Sequence, residues 1–241
     1  MDLCEPNAII DYYTAQSYYV NTITAITLYI ATRVYYRYMT VAPNTKQQAI
    51  VMKQLQSFST EDITPFASFE IPKIYTLVAR PPEDVRVAIS RVSDHLQLTY
   101  PEHYYYPSAQ YHATLLAVGN TVDQESIDII QRVIKRQHVE VSLQGLGISA
   151  HGVSVPVYAH KPGALGHMRN ELRDKLHKVP DTRNKGTPWD ELSWINFVRF
   201  TSKPSPHMLD DLRKYESTQF GTFSIDTWEL YKTTSRVLDP A

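Results

Sequence analysis

The spacing of apolar and polar positions divides the chain into regions of different period. From Ala8 to Met39 there is no Gly or Pro, and Tyr, Ile, Thr and Val recur throughout, which predicts one long helix or a helix pair. Ala42-Pro43-Asn44 breaks that pattern, and Asn44 is placed to cap a second helix from Thr45 to about Phe58. From about Phe69 short apolar runs alternate with amphipathic ones. Ile74 to Ala79 predicts a strand, and after Pro81-Pro82-Glu83-Asp84 the stripe Val85, Ile89, Val92 and Leu96 predicts a helix. Pro101 and Pro107 bracket a loop carrying Tyr104, Tyr105 and Tyr106. A strand from Tyr111 to Val118 ends at Gly119-Asn120, and a helix with Ile127, Ile130, Val133 and Ile134 follows. The alternating Val139 to Leu143 reads as a strand whose hairpin mate is Val153 to Tyr158.

The second half repeats this rhythm. A helix from Leu165 to about Lys178 precedes a polar loop, Pro180 to Pro188. Then come a strand from Trp194 to Phe200, a helix from Pro204 to Tyr215, and a closing strand from Phe223 to Tyr231. The pattern is one strand–helix–strand–strand unit used twice. Together these elements predict an α+β domain over residues 66–241, preceded by a helical extension over residues 1–65.

Composition narrows the class. The chain has 241 residues, 43% hydrophobic and 20% charged, an ordinary globular balance with ample length for a large core. A formal net charge of -1 gives no global sign of a duplex-DNA-binding protein, although a local basic cleft fits the same total. One cysteine, Cys4, excludes an intramolecular disulfide and, with no signal peptide evident, suits a reducing cytoplasm. The segment from Tyr18 to Tyr38 is apolar enough to suggest a membrane span. Asn21, Arg33, Arg37 and its threonines oppose that, because each polar group costs free energy in hydrocarbon. Its aromatic residues suit a sheet or a partner subunit instead, so a homo-oligomer through these helices is an expectation.

Two segments carry the candidate chemistry. In Tyr111-His112-Ala113-Thr114-Leu115-Leu116, the imidazole and the hydroxyl lie two positions apart and share one face of a strand. Ser193-Trp194-Ile195-Asn196-Phe197-Val198-Arg199-Phe200 has the same rhythm with Trp194 and Asn196. In a regular strand Arg199 alternates to the opposite face, where a surface salt bridge is its default role. His151 and His160 flank the hairpin strand at a spacing that matches no metal motif, and loop exposure explains them. There is no Gly-rich phosphate loop with its Lys and no Gly-x-Ser-x-Gly elbow.

The stretch from about Phe69 to Arg236 resembles the two-histidine (2H) phosphoesterase superfamily, which includes RNA 2′,3′-cyclic phosphodiesterases, often called 2′-5′ RNA ligases. The resemblance rests on four features in this order. They are Tyr111-His112-Ala113-Thr114-Leu115-Leu116, the strand Val139 to Gly147, the helix with Leu165, Met168, Arg169, Leu172, Arg173 and Leu176, and the closing Trp228-Glu229-Leu230-Tyr231-Lys232-Thr233. It implies a bilobal fold, two antiparallel sheets around a central cleft with outer helices, and two His-x-Thr motifs facing each other. It also implies a metal-independent reaction with no cofactor, in which one imidazole is base and the other acid. Carried over, His112 is the catalytic group and Thr114 its phosphate-binding partner. Trp194 and Asn196 take the places of the second His and Thr, so the second motif is degenerate.

Indole cannot exchange a proton at neutral pH, whereas Asn196 can still donate to a phosphate oxygen and the indole can stack on a base or sugar. Arg80, at the end of the first strand, is a candidate phosphate contact, and Tyr231 either faces the cleft or packs. Two functions stay open. One is a phosphodiesterase acting on 2′,3′-cyclic or 2′-5′ linked nucleotides or RNA ends. The other is a pseudoenzyme that binds a nucleotide or RNA end without cleaving it, with the helical extension serving oligomerisation or a partner.

Overall fold

The computed structural model describes residues 47–51, 53, 58, 63, 74–176, 185–232 and 239–240. The helices expected before residue 46, their role in oligomerisation, and Cys4 lie outside the described residues. Val41–Ala241 forms one compact unit, which contains all that follows. Among the described residues no helix is long and apolar enough to cross a membrane.

The fold is α+β. In chain order its elements are β1 (Tyr75–Ala79), α1 (Glu83–Thr99), β2 (Tyr104–Tyr105), β3 (Ala113–Gly119), α2 (Gln124–Gln137), β4 (Val139–Gln144), β5 (Gly147–Ser149) and β6 (Gly152–Ala159). They continue with α3 (Ala164–Lys175), β7 (Leu192–Arg199), α4 (Pro206–Arg213), β8 (Gln219–Ile225), β9 (Glu229–Lys232) and β10 (Asp239–Pro240). The strands follow the order β10-β9-β1-β3-β7-β6-β4-β8, with β2 beside β7 and β5 beside β6. Every pairing is antiparallel.

Local chemistry accounts for the elements that frame the sheet. The α1 stripe Val85, Ile89, Val92 and Leu96 is buried, and the helix packs over β8. Asp123 caps α2 by accepting from the Ser126 amide at 2.8 Å, and α2 packs beside α3. Residues 47–51 are helical; buried Val51 packs with Tyr158 and Leu192, and Gln47 donates to the Glu191 carboxylate at 2.9 Å.

The sheet has a narrow waist. β3 and β7 share a single register pair, Ala113 with Ile195. On one side of it lie β3, β1, β9 and β10; on the other lie β7, β6, β4 and β8. These are the two lobes of the expected bilobal arrangement, hydrogen-bonded here into one continuous sheet. They are not the two halves of the chain. The expected closing strand from Phe223 to Tyr231 is two strands: β8 pairs with β4 in the second lobe, and β9 pairs with β1 in the first. A turn at Asp226 separates them. Apolar alternation continues on both sides of that turn, so the pattern alone does not show the crossing.

Beyond the waist β3 and β7 splay, and the exposed carbonyls in the fork need donors. The buried Arg169 guanidinium, from α3, supplies them. Nε donates to the Leu115 carbonyl at 2.7 Å, Nη1 to those of Asp190 and Leu192 at 2.5 and 2.7 Å, and Nη2 to that of Thr114 at 3.2 Å. The Ser193 hydroxyl adds a donor to the Thr114 carbonyl at 2.7 Å. One turn along α3, Arg173 forms a bidentate pair with the Asp190 carboxylate at 2.8 Å on both arms, with both side chains buried.

Replacing Arg169 with Met keeps most of the volume and removes every donor. Leaving buried carbonyls unpaired costs about 1–3 kcal/mol each. Urea denaturation of Arg169→Met is therefore expected to show a loss of about 3 kcal/mol or more with the slope unchanged. A loss within about 0.5 kcal/mol, typical of surface positions, would show that the fork does not depend on this residue.

Candidate functional site

Alternation about the waist decides which side chains meet. Ala113 and Ile195 are directly opposed and both buried, so their neighbours on each strand point to the other face of the sheet. Those neighbours are His112 and Thr114 on one strand and Trp194 and Asn196 on the other, all four only partly buried. By antiparallel register His112 lies across from Asn196 and Thr114 across from Trp194. A local twofold through the Ala113–Ile195 pair relates His112 to Trp194 and Thr114 to Asn196. The four residues picked out by the two motifs thus share one face at the junction of the lobes.

A bulge changes the account of Arg199. Asn196 pairs with Ser154, but Val198 pairs with Val153, which leaves Phe197 as an extra residue in β7. The alternation is thereby shifted by one, and Arg199, opposite Gly152, returns to the face that holds Trp194 and Asn196. This overturns the expectation of an outward Arg199, which assumed a regular strand. Gly152 permits the close approach, since a Cβ there would sit 2.0 Å from the Val198 carbonyl oxygen. Tyr104 pairs with Arg199, and Tyr106 lies edge-on to Tyr104 with centroids 5.0 Å apart. The Tyr106 hydroxyl hydrogen-bonds Arg199 Nε at 3.1 Å, and its ring lies under the guanidinium at 5.9 Å. The tyrosine loop therefore forms one border of this face.

His112 is held in one orientation. Its Nδ1 lies 2.7 Å from the Gln110 carbonyl, a contact only the protonated nitrogen can make, so Nε2 carries the lone pair in the neutral ring. The ring stacks on Tyr231 at 6.2 Å with an interplanar angle of 19°. Behind that contact, the Tyr231 hydroxyl donates to Glu229 at 2.5 Å and accepts from Arg80 Nη2, while Arg80 Nε contacts both Glu229 oxygens at 2.9 Å. Arg80 also donates to the Ala109 carbonyl, in the turn before His112. Burial pushes the imidazole below its ordinary pKa, and the positive charges of Arg80 and Arg199 push the same way. The hydrogen bond to Gln110 and the Glu229 carboxylate oppose them.

Beside this cluster lies a cavity of about 480 Å³ walled by Thr114, Trp194 and Asn196, with Arg169, Arg173 and Asp190 at its inner side. Trp189 packs on Trp194, centroids 6.2 Å apart. His112, Arg80 and Tyr231 are not among its lining residues. The expected site residues thus fall into two groups joined through β3: a ring–carboxylate–guanidinium cluster at His112, and a polar cavity at Thr114, Trp194 and Asn196. Sequence reasoning missed Arg199, Gly147 and the carbonyl clamp of Arg169. His151 and His160 are half-buried at the two ends of β6 rather than fully exposed loop residues.

No family model and no curated protein matches the chain. Among solved structures it is similar to TT0787 of Thermus thermophilus at 16% identity, covering 70% of this chain and 93% of that one, with a TM-score of 0.49. It is similar to E. coli LigT complexed with ATP at 16% identity, covering 71% and 96%, with a TM-score of 0.43. Kluyveromyces marxianus Usb1 gives 15% identity, covering 70% and 98%, with a TM-score of 0.42.

Because the folded imidazole binds its proton less tightly than the unfolded one, the unfolded chain carries the extra proton between the two midpoints. Stability there rises with pH, and the penalty from His112 is gone above the unfolded midpoint near 6.5. In nitrogen-detected NMR, His112 is expected to titrate below 6.5, with Nδ1 protonated and Nε2 bare at pH 7. A midpoint at or above that value would contradict the burial and charge described here.

Proposed function

We propose that this chain is a phosphoester-binding domain of the 2H type. In this reading it acts on 2′,3′-cyclic or 2′-5′ linked nucleotides or RNA ends, with a single proton-transfer group. The observation that carries this is the placement of His112, Thr114, Trp194 and Asn196 on one face around the Ala113–Ile195 pair, with Arg199 returned to that face by the Phe197 bulge. Phosphate needs directed donors and positive charge without a competing carboxylate. The Thr114 hydroxyl, the Asn196 amide and the Arg199 guanidinium supply the first two, and the Asp190 carboxylate in the cavity wall is tied to Arg173.

In this reading the reaction is hydrolysis of a 2′,3′-cyclic phosphate. His112 Nε2 takes a proton from water as its oxygen bonds to phosphorus, and the bond from phosphorus to one ribose oxygen breaks. The released ribose oxygen takes its proton from solvent, because the indole at position 194 has no proton to exchange at neutral pH. The low proton affinity of the ring keeps it in its basic form at neutral pH. No metal or cofactor enters this scheme.

A second reading is favoured by one observation, the indole at the place related to His112 by the local twofold. Without a partnering acid, the cleft serves as a holder of a nucleotide or RNA end that leaves the ligand intact. The two readings separate in one assay. Incubation with nucleoside 2′,3′-cyclic phosphates is expected to give a slow conversion that falls by ~10²–10⁴-fold in His112→Ala, the range for one positioned acid or base. Thr114→Ala is expected to act mainly through KM. Micromolar binding with all ligand recovered intact would establish the holder, and absence of both binding and turnover would remove the phosphoester reading altogether.

A further inference from the structure

The indole at position 194 is laid out as a flat platform. Trp194 and Pro156 are paired across β7 and β6, and the ring reaches from there over the next row of the sheet, where Asn196, Ser154 and Gly147 stand side by side. Gly147 makes room for it: a Cβ at that position would lie 2.6 Å from Cζ3 and 3.3 Å from Cε3 of the indole. A side chain at 147 would force the ring to shift. The Cζ3–Cε3 edge of the indole therefore lies over Gly147, Trp189 meets the ring at an angle of 34°, and the ring is only partly buried in the wall of the 480 Å³ cavity.

The same cavity offers hydrogen-bonding groups at the level of the ring. The Ser154 hydroxyl bonds the Gly147 carbonyl at 3.5 Å and the Ser149 hydroxyl that of Gly152 at 3.4 Å, both long enough for either hydroxyl to turn to a better partner. The Asn196 amide brings both a donor and an acceptor. A planar, polar-edged ring is the shape and chemistry that such a surface takes: π-stacking below and hydrogen bonds at the rim. The two-ring indole covers a two-ring base more fully than a one-ring base.

Resting on the phosphoester reading of this cleft, we infer that the cavity is a nucleobase subsite. A purine stacks on Trp194 while its ribose phosphate reaches toward Thr114 and Arg199. The position that would hold a second proton-transfer group is thereby given to base recognition, and the ligand class is a purine nucleotide end.

Calorimetry on the full chain tests this, with adenosine 2′-monophosphate, cytidine 2′-monophosphate and inorganic phosphate as probes and tryptophan fluorescence as a second readout. The expected result is tighter binding of the adenosine nucleotide, with quenching of indole emission. In Trp194→Ala the adenosine nucleotide weakens about tenfold or more, in keeping with the range for one base–aromatic stack, while phosphate affinity is unchanged. Gly147→Ala, which moves the ring without removing it, is expected to weaken the adenosine nucleotide and to spare phosphate, so the test survives a Trp194→Ala chain that does not fold. Unaltered adenosine nucleotide binding in the variants that still take phosphate overturns the base subsite and leaves the phosphoester reading standing. Failure of the native chain to bind phosphate or either nucleotide overturns both.

Discussion

The structure depends on how one arginine closes the fork between two strands. β3 and β7 meet at a single residue pair and then part, which strands several carbonyls away from water. Arg169 answers four of them from α3, the helix that precedes β7. Its planar array of N–H groups fits this task; a lysine, with three donors on one nitrogen, would not span it. The separation of the lobes, and hence the breadth of the cleft face, is set where this guanidinium sits. A buried positive charge balanced by carbonyl dipoles also raises the local potential at the inner wall of the cavity, which favours an anionic guest over a cationic one.

From that junction outward, the cleft is organised by small departures from regular sheet. The bulge at Phe197 brings a guanidinium to the cleft. Between β1 and β3 the register also shifts, Val78 pairing with Thr114 but Leu77 with Leu116, so that Leu115 is an extra residue. Its carbonyl is one of those that Arg169 holds. Both strands thus carry an irregularity immediately after their motif pair. The imidazole is steadied separately by a carbonyl, a stacked phenol and the Glu229–Arg80 pair behind it. The orientation of His112 is thereby set by the first lobe, whereas Arg199 of the second also lowers its proton affinity and most of the cavity wall belongs to the second.

Much of this was legible in the residues. The α1 stripe, the period-two strands and the shared face of His112 and Thr114 follow from local periodicity, which depends only on near neighbours. The face of Arg199 did not, because a bulge is set by the register of the adjoining strand and leaves no mark in the alternation of β7 itself. The division of the last apolar run into β8 and β9 was hidden for a related reason: both pieces alternate alike, and only their partners differ. Gly147 and Arg169 are silent in sequence because their roles depend on Trp194 and on carbonyls far along the chain.

The return of β9 to the first lobe has one more consequence. The chain leaves that lobe after β3 and α2, completes the second, and comes back only in its last strands to place Glu229 and Tyr231 behind His112. The first lobe is therefore not a contiguous stretch of polypeptide, since the strands β4 to β8 of the second lie between its β3 and its β9. During synthesis the imidazole emerges long before its stacking partner, and the ring acquires its final setting only once β9 has been made.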